Sequence, residues 1–156
     1  MQRYFFAADD EWVTLVGRYI LNMGVVDTAT KLVIVSIDGN DKGKILNAEL
    51  SDRLSYIRWR LPRKDRTRHE ASMKALSVAE ENIGFRDMLA HSPISITSKP
   101  DGTIKVQGIV NVDPSDKSTL YELVSLAKLR AKVDESAMLV GHFLAMQLDG
   151  GPNAGG

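Results

Sequence analysis

The stretch 9–37, DDEWVTLVGRYILNMGVVDTATKLVIVSI, decides the fold that the sequence predicts. Its apolar side chains recur at intervals of three and four residues, which is the spacing of one face of an α-helix. Its last part, residues 30–37, is rich in β-branched side chains and suits a strand equally well by propensity, so its state stays open. The turn cluster Asp38-Gly39-Asn40-Asp41 follows. A long first helix that ends at this turn is therefore predicted.

Two more helices are predicted between this turn and residue 93. The second covers about residues 47–60 and is ended by Pro62. The third covers about residues 64–91 and ends before Pro93, because the residue that precedes a proline is pushed out of helical geometry. The same proline is expected to loosen the helix end around His91.

A β-hairpin and a last helix complete the predicted elements. In ISITSKPDGTIKVQGIV (94–110), apolar and polar residues alternate on either side of Lys99-Pro100-Asp101-Gly102, which is typical of a hairpin. The capping-box spacing of Thr119 and Glu122 predicts the start of the last helix. The inward stripe predicted for that helix consists of Leu120, Leu123, Val124, Ala127, Ala131, Asp134, Ala137, Met138, Gly141, Leu144 and Leu148.

The predicted architecture is mainly α: a four-helix up-down bundle with a β-hairpin inserted between the third and fourth helices. A chain of 156 residues fits a single domain, which we place at residues 1–149. The ending, DGGPNAGG, is rich in glycine, so residues 150–156 are expected to form a flexible tail.

The composition limits the classes of function. The chain has no cysteine, which fits a reducing compartment, so a cytoplasmic location is expected. It carries 20 basic and 20 acidic residues, so any binding to nucleic acid must come from a local patch. Its apolar runs, such as residues 32–35, are far shorter than the ~20 residues of a membrane helix, and no membrane span is expected. His69 and His142 lack metal-ligand spacing and no phosphate-binding glycine motif occurs, so neither a metal nor a cofactor is expected.

Polar residues interrupt the apolar side of the third helix near its end, FRDMLAHSP (85–93). A helical projection places Asn82 and Arg86 inside the apolar arc. A buried guanidinium without a partner costs several kcal/mol, so either Arg86 reaches a carboxylate such as Asp27 or Asp134, or the arc opens there into a cleft.

Asp87 and His91 are four residues apart and therefore neighbours on a helix surface. A hydrogen bond from Asp87 would favour protonated His91, whereas Arg86 next to it would oppose protonation and keep the imidazole useful as a proton donor or acceptor. Alternatively, Arg86 and His91 only satisfy the last carbonyls of the helix and its dipole.

Arg86, the polar Asp87 and His91 at the end of the third helix resemble the motif of the HEPN superfamily, in which an arginine is followed after four to six residues by a histidine. Gly17 and Asp27 in the first helix resemble a glycine and an acidic residue of many small bacterial HEPN-like proteins. The resemblance implies a homodimer in which two motifs face one groove. It also implies a metal-independent endoribonuclease of a toxin–antitoxin or phage-defence system, with an antitoxin or another operon product as partner.

In the chemistry that the resemblance implies, the ribose 2′-hydroxyl attacks the adjacent phosphate. His91 acts as general base or acid, Arg86 stabilises the charge that develops on the phosphate oxygens, and Asp87 orients the pair. Gly84 lies on the same side of the helix as Asp87 and His91, where a missing side chain lets a partner helix or a phosphate approach. Otherwise, Gly84 is a tolerated helix glycine at a cost of about 1 kcal/mol.

A basic run, IRWRLPRKDRTRH (57–69), connects the second and third helices. With Trp59 as a stacking aromatic it is a candidate RNA-binding patch, or else a solvated helix junction. The residues assigned to this patch are Arg58, Arg60, Arg63, Lys64, Arg66 and Arg68. Two alternatives to the nuclease stay open: a catalytically inactive HEPN-like bundle that acts as a binding or assembly module, and a dimerising helical protein whose Arg86 forms a core ion pair.

Overall fold

A computed structural model describes residues 2–3, 10–91, 94–98, 104–111 and 122–149. It contains five helices: α1 (Asp10–Asp38), α2 (Gly43–Leu46), α3 (Leu50–Arg60), α4 (Arg66–His91) and α5 (Leu126–Asp149). Four strands are assigned as well: β1 (Gln2–Arg3), β2 (Ile94–Ser98), β3 (Ile104–Asn111) and β4 (Glu122–Leu123). The predicted turn at residues 99–102 and the predicted tail at 150–156 lie outside the described residues.

The predicted four-helix bundle with an inserted hairpin is wrong. The predicted second helix corresponds to α3, which begins at Leu50, whereas the short helix α2 that precedes it was not predicted. Residues 47–49 are not helical and separate α2 from α3. No strand lies within residues 10–91 or 124–149, so the described core is built from helices alone. The strands lie outside it, in the antiparallel order β1-β2-β3-β4, and this sheet replaces the simple hairpin of the prediction.

The up-down order is wrong as well, because the first and last helices run in the same direction. Glu11 bonds to Arg130 near the starts of α1 and α5, and Asn22 bonds to Ser136 further along both. Helix α4 runs opposite to α1, since Tyr19 near the start of α1 meets Asn82 near the end of α4.

Helix α1 is helical throughout the stretch whose state the sequence left open. Val33 and Ile34 are buried there in the core. The helix ends at Asp38, and Gly39 follows with a φ of +78° and an N–H that donates to the carbonyl of Val35 at 2.8 Å. Glycine adopts this left-handed conformation without a steric penalty, which explains the stop. By length and composition, residues 11–38 also suffice to cross a membrane, a criterion that core helices of soluble proteins meet too.

Helix α5 presents to the core the face opposite to the predicted one. The predicted start is also wrong, because Glu122 lies in β4 and Ser125 caps the helix by accepting the N–H of Lys128 at 3.1 Å. Of the predicted stripe, Val124 is buried, whereas the six positions from Ala127 to Gly141 and Leu144 are exposed. The face that packs inward carries Leu129, Val133, Ser136, Leu139 and Phe143. Two apolar stripes offset by two residues, about 200° around a helix, cannot be ranked by periodicity alone.

Candidate functional site

A buried polar network connects α1, α4 and α5 beneath the candidate motif. The hydroxyl of Tyr19 lies 2.9 Å from Oδ1 and 3.0 Å from the main-chain oxygen of Asn82. The amide of Asn82 donates to the carbonyl of Val78 at 2.8 Å and to Glu135 Oε2 at 3.0 Å. Lys132 donates to the same carboxylate oxygen at 2.5 Å. Asn82 therefore lies in the core, as predicted, and is satisfied there by hydrogen bonds.

The electrostatics of this network keep Tyr19 neutral. Burial raises the pKa of the Tyr19 hydroxyl far above its ordinary value, and the Glu135 carboxylate raises it further, against the opposing charge of Arg86. Burial would also raise the pKa of Glu135, but hydrogen bonds from Lys132 and Asn82 outweigh it and lower that pKa. The network thus holds a hydroxyl donor and an ionised carboxylate in fixed positions.

Arg86 lies at the edge of this network and is not sealed in the core. Its side chain is 32% exposed, and its Nε and Nη2 donate to Asp87 Oδ1 at 3.2 and 3.1 Å. The two carboxylates considered as its partners are elsewhere: Asp27 bonds to Arg53, and Asp134 is exposed on α5. Arg86 was expected either to reach a carboxylate such as Asp27 or Asp134, or to lie where the apolar arc opens. The described contacts match a partly open position in which Arg86 pairs with the adjacent Asp87.

The contact predicted between Asp87 and His91 stays a prediction. Helix α4 includes His91 as its last residue, but the side chain of His91 and the Ser92-Pro93 pair lie outside what the structure describes. Because the helix continues through position 91, the expected loosening does not begin before it. Positions 86 and 91 of a regular helix point about 140° apart.

Two lysines that the sequence reasoning missed lie near the motif. The ammonium groups of Lys128 and Lys132 on α5 are 6.0 and 5.8 Å from the centre of the Phe85 ring, and Phe85 adjoins Arg86. Their spacing of four residues was visible in the sequence, but the wrong inward face assigned to the last helix concealed it. Arg86, Lys128 and Lys132 place three cations around the end of α4.

Gly84 is exposed on α4, and a Cβ added there would meet nothing within 4 Å. The same is true of Gly17 on α1. Packing among the described residues therefore does not require glycine at either position. An approach from outside the chain remains a reason for a small residue at Gly84.

Carboxylates neutralise most of the predicted RNA-binding patch. Arg58 pairs with Glu80 at 2.7 Å, and Arg60 pairs with Asp38. The other ion pairs in the patch are Arg66 with Glu70 at 2.8 Å and Arg68 with Asp65 at 3.5 Å. Only Arg63 and Lys64 form no ion pair with any described residue.

The patch and the motif lie at opposite ends of α4. Twenty residues separate Arg66 from Arg86, which is about 30 Å along a helix axis. The structure therefore does not bring the two predicted groups together into one site on a single chain. An RNA that contacts both would have to extend along the length of α4.

Asp27, which was considered as a possible partner of Arg86, belongs to a different cluster, around Arg53. It pairs with Arg53 Nη2, while Nε of Arg53 donates to Thr30 Oγ1 at 3.0 Å and Nη1 donates to the carbonyl of Ala48. Among the residues whose burial the structure describes, Arg53 is the arginine that lies buried in the core, and the sequence reasoning missed it. Its position, three residues after Leu50 and four before Ile57, was the available signal.

Asp38 at the end of α1 is held by two side chains of α3. Tyr56 donates to its Oδ2 at 2.8 Å and Arg60 Nε donates to the same oxygen at 3.0 Å. The hydrogen bond from Arg60 is the main cause that lowers the pKa of Asp38 below its ordinary value of 3.8.

We expect this interaction to make the stability of the protein depend on pH. The folded-state pKa of Asp38 is lowered, so its contribution is present above pH 3.8 and is lost as the pH falls through the folded-state pKa. Urea denaturation from pH 6 to pH 3 should show a smaller loss of stability for Asp38→Asn than for the wild type. Equal pH dependence in the two proteins would contradict the assignment.

Within the described part of the chain, no group of three histidine, aspartate or glutamate side chains is placed to hold a metal ion. His69 Nδ1 lies 3.3 Å from the carbonyl of Pro62, and His142 is exposed on α5.

A comparison with protein-family models, curated proteins and solved structures finds no match to the chain. The resemblance to the HEPN superfamily therefore rests on Arg86, Asp87 and His91, on Gly17 and Asp27, and on the helical architecture.

Proposed function

We propose that the chain is a HEPN-like, metal-independent endoribonuclease that acts as a homodimer through Arg86, Asp87 and His91 at the end of α4. The observation that carries the proposal is the position of Arg86: partly open to solvent, beside Phe85, and not sealed by a core carboxylate of the described residues. A guanidinium in this position can approach a phosphate, whereas one sealed in a core ion pair cannot.

The proposed reaction cleaves the phosphodiester bond without a metal. The 2′-oxygen forms a bond to the adjacent phosphorus and the bond to the 5′-oxygen breaks, which leaves a 2′,3′-cyclic phosphate and a 5′-hydroxyl. His91 accepts the proton of the 2′-hydroxyl or donates one to the departing 5′-oxygen, and water takes part in the other of these two proton transfers. Arg86 stabilises the charge on the phosphate oxygens.

In the proposed homodimer, Arg86 of one chain and His91 of the other meet at one phosphate, which the two residues of a single helix do not. Positions 86 and 91 diverge by about 140° on a regular helix, so an arginine and a histidine that act on one phosphate fit two chains better than one. The open surface at Gly84 supports a close approach of the second chain next to the motif.

The direct test is cleavage of single-stranded RNA by the purified protein in the presence of a chelator. We expect products that end in a 2′,3′-cyclic phosphate, and we expect an RNA with a 2′-deoxy sugar at each cleavage site to resist. Absence of cleavage of any RNA by a folded dimer would contradict the proposal.

One contact favours a second candidate, an inactive HEPN-like module that binds RNA or an operon partner. The guanidinium of Arg86 is already engaged by the Asp87 carboxylate at 3.1 Å, which reduces its availability to a phosphate. Such a module would bind RNA with an affinity that falls steeply with salt and is unchanged by His91→Ala.

A further inference from the structure

An open groove of about 710 Å³ lies between residues 41–48, which include helix α2, and helix α3. Two of its lining side chains are aromatic, Tyr56 and Trp59. Tyr56 follows Asp52 by four residues and Trp59 follows Tyr56 by three, so all three lie on one face of α3. Lys42 and Lys44 line the groove on the α2 side. Asp41, next to Lys42, also lines the groove, which therefore combines an aromatic surface with two lysines and two aspartates.

Trp59 is left in water by the fold. Its exposed fraction is 73%, whereas Trp12 is buried in the core. Arg60 Cζ lies 5.3 Å from the centre of the Trp59 ring, and the Tyr56 ring meets it edge-on with centroids 6.0 Å apart. With this exposure the ring keeps a face open, and an exposed indole is a surface on which another planar group can stack.

Asp38 fixes the surroundings of Trp59 before any ligand arrives. Its side chain is only 7% exposed and binds both Tyr56 and Arg60, the two residues that contact the Trp59 ring. Groups that are ordered in advance lose less conformational entropy on binding. The aromatic surface of the groove is therefore preorganised.

The charges in the groove fit a ligand that is polar on one side and anionic on the other. Lys42 and Lys44 are exposed and form no ion pair with a described residue, so they are available to phosphate oxygens. Asp52 on α3 offers carboxylate oxygens that accept hydrogen bonds from amino groups. A nucleotide within a single strand carries a stacking base, amino groups and phosphates together.

We propose that this groove binds one base of a single-stranded RNA, stacked on Trp59, with an amino group of the base on Asp52 and the flanking phosphates on Lys42 and Lys44. The inference rests on the proposed function only in taking RNA as the ligand, because binding here needs neither Arg86 nor His91. It keeps Trp59 of the basic run as the stacking aromatic and moves the phosphate contacts from the neutralised arginines of that run to Lys42 and Lys44.

The test measures binding of the intact protein to single-stranded 2′-O-methyl oligonucleotides, which lack the nucleophile for cleavage. We expect saturable quenching of the Trp59 fluorescence, while Trp12 contributes a constant background. Trp59→Leu should weaken binding about 5- to 150-fold, the effect of losing one base–aromatic stack. Trp59→Phe keeps an aromatic ring and should lose less.

Met138→Ala is the matched control, because Met138 is also 73% exposed but lies on α5. It should leave the affinity unchanged. Equal affinity of wild type and Trp59→Leu for the oligonucleotides would overturn the proposal. Saturable quenching of the Trp59 fluorescence by a protein or peptide, but by no oligonucleotide, would overturn it as well. Both variants alter exposed side chains, and thermal unfolding checks that each remains folded.

A combined measurement separates this inference from the proposed nuclease. Oligonucleotide binding that depends on Trp59, in a protein that cleaves no RNA, supports the groove and contradicts the nuclease. Cleavage that depends on His91, together with oligonucleotide binding that is unchanged by Trp59→Leu, supports the nuclease and contradicts the groove. A further check is Lys42→Gln with Lys44→Gln, which should reduce the salt slope of log K by about 1.4 if each lysine contacts one phosphate.

Discussion

Asp27→Ala is expected to lower the free energy of unfolding by about 3–5 kcal/mol, the cost of leaving one member of a buried ion pair without its partner. The two members are not equally buried: the side chain of Arg53 is 4% exposed and that of Asp27 is 33% exposed. Removing Asp27 leaves the guanidinium in the core with only the neutral acceptors of Thr30 and Ala48.

The reverse substitution is expected to cost less. In Arg53→Met the remaining Asp27 carboxylate can reach water, and the methionine retains much of the buried volume. The double variant should therefore be more stable than Asp27→Ala alone. The free energies of unfolding of the two single variants and the double variant are measured by urea denaturation, with an m-value equal to that of wild type. Asp134→Ala removes an exposed acid on α5 and serves as the control, with an expected free energy of unfolding within about 0.5 kcal/mol of wild type. An equal or larger loss for Arg53→Met would contradict this account.

The pair also illustrates what the sequence could predict. Periodicity correctly located α1, α3 and α4. It drew attention to Arg86 as the arginine in an apolar arc, although Arg53 is the one that is buried. A projection identifies residues near a stripe, but the partner that permits burial, Asp27 on another helix, depends on tertiary packing.

The same limit explains the errors at α5 and in the candidate site. Helix α5 has two apolar faces, and the choice between them is made by its packing against α1, which local sequence does not encode. The predicted position of Asn82 in the core is confirmed, but its partners Tyr19 and Glu135 come from other helices, and nothing in the spacing around Asn82 points to them. The sequence was enough to place Asn82 in the core, but not to identify the hydrogen bonds with Tyr19 and Glu135 that satisfy its side chain.

His91→Ala is expected to slow RNA cleavage about 10²- to 10⁴-fold, the usual contribution of a general acid or base. Arg86→Ala should slow it about 10²- to 10³-fold through lost stabilisation of the phosphate oxygens, and Arg86→Lys should retain part of the rate because it keeps the charge and loses the planar fork. Folding is not the expected cause, since an ion pair as exposed as that of Arg86 with Asp87 contributes about 1 kcal/mol or less.

Lys74→Ala is the control for these variants, because Lys74 is also a cation on α4 but lies outside the candidate patch and about 18 Å from Arg86 along the helix. Its cleavage rate should equal that of wild type. Asp87→Asn then separates two roles of the acid. If Asp87 orients Arg86 and His91, the neutral amide should slow cleavage; if it only neutralises Arg86, the same change should tighten RNA binding and leave or raise the rate. Cleavage at the wild-type rate by both His91→Ala and Arg86→Ala would exclude the motif as the active site.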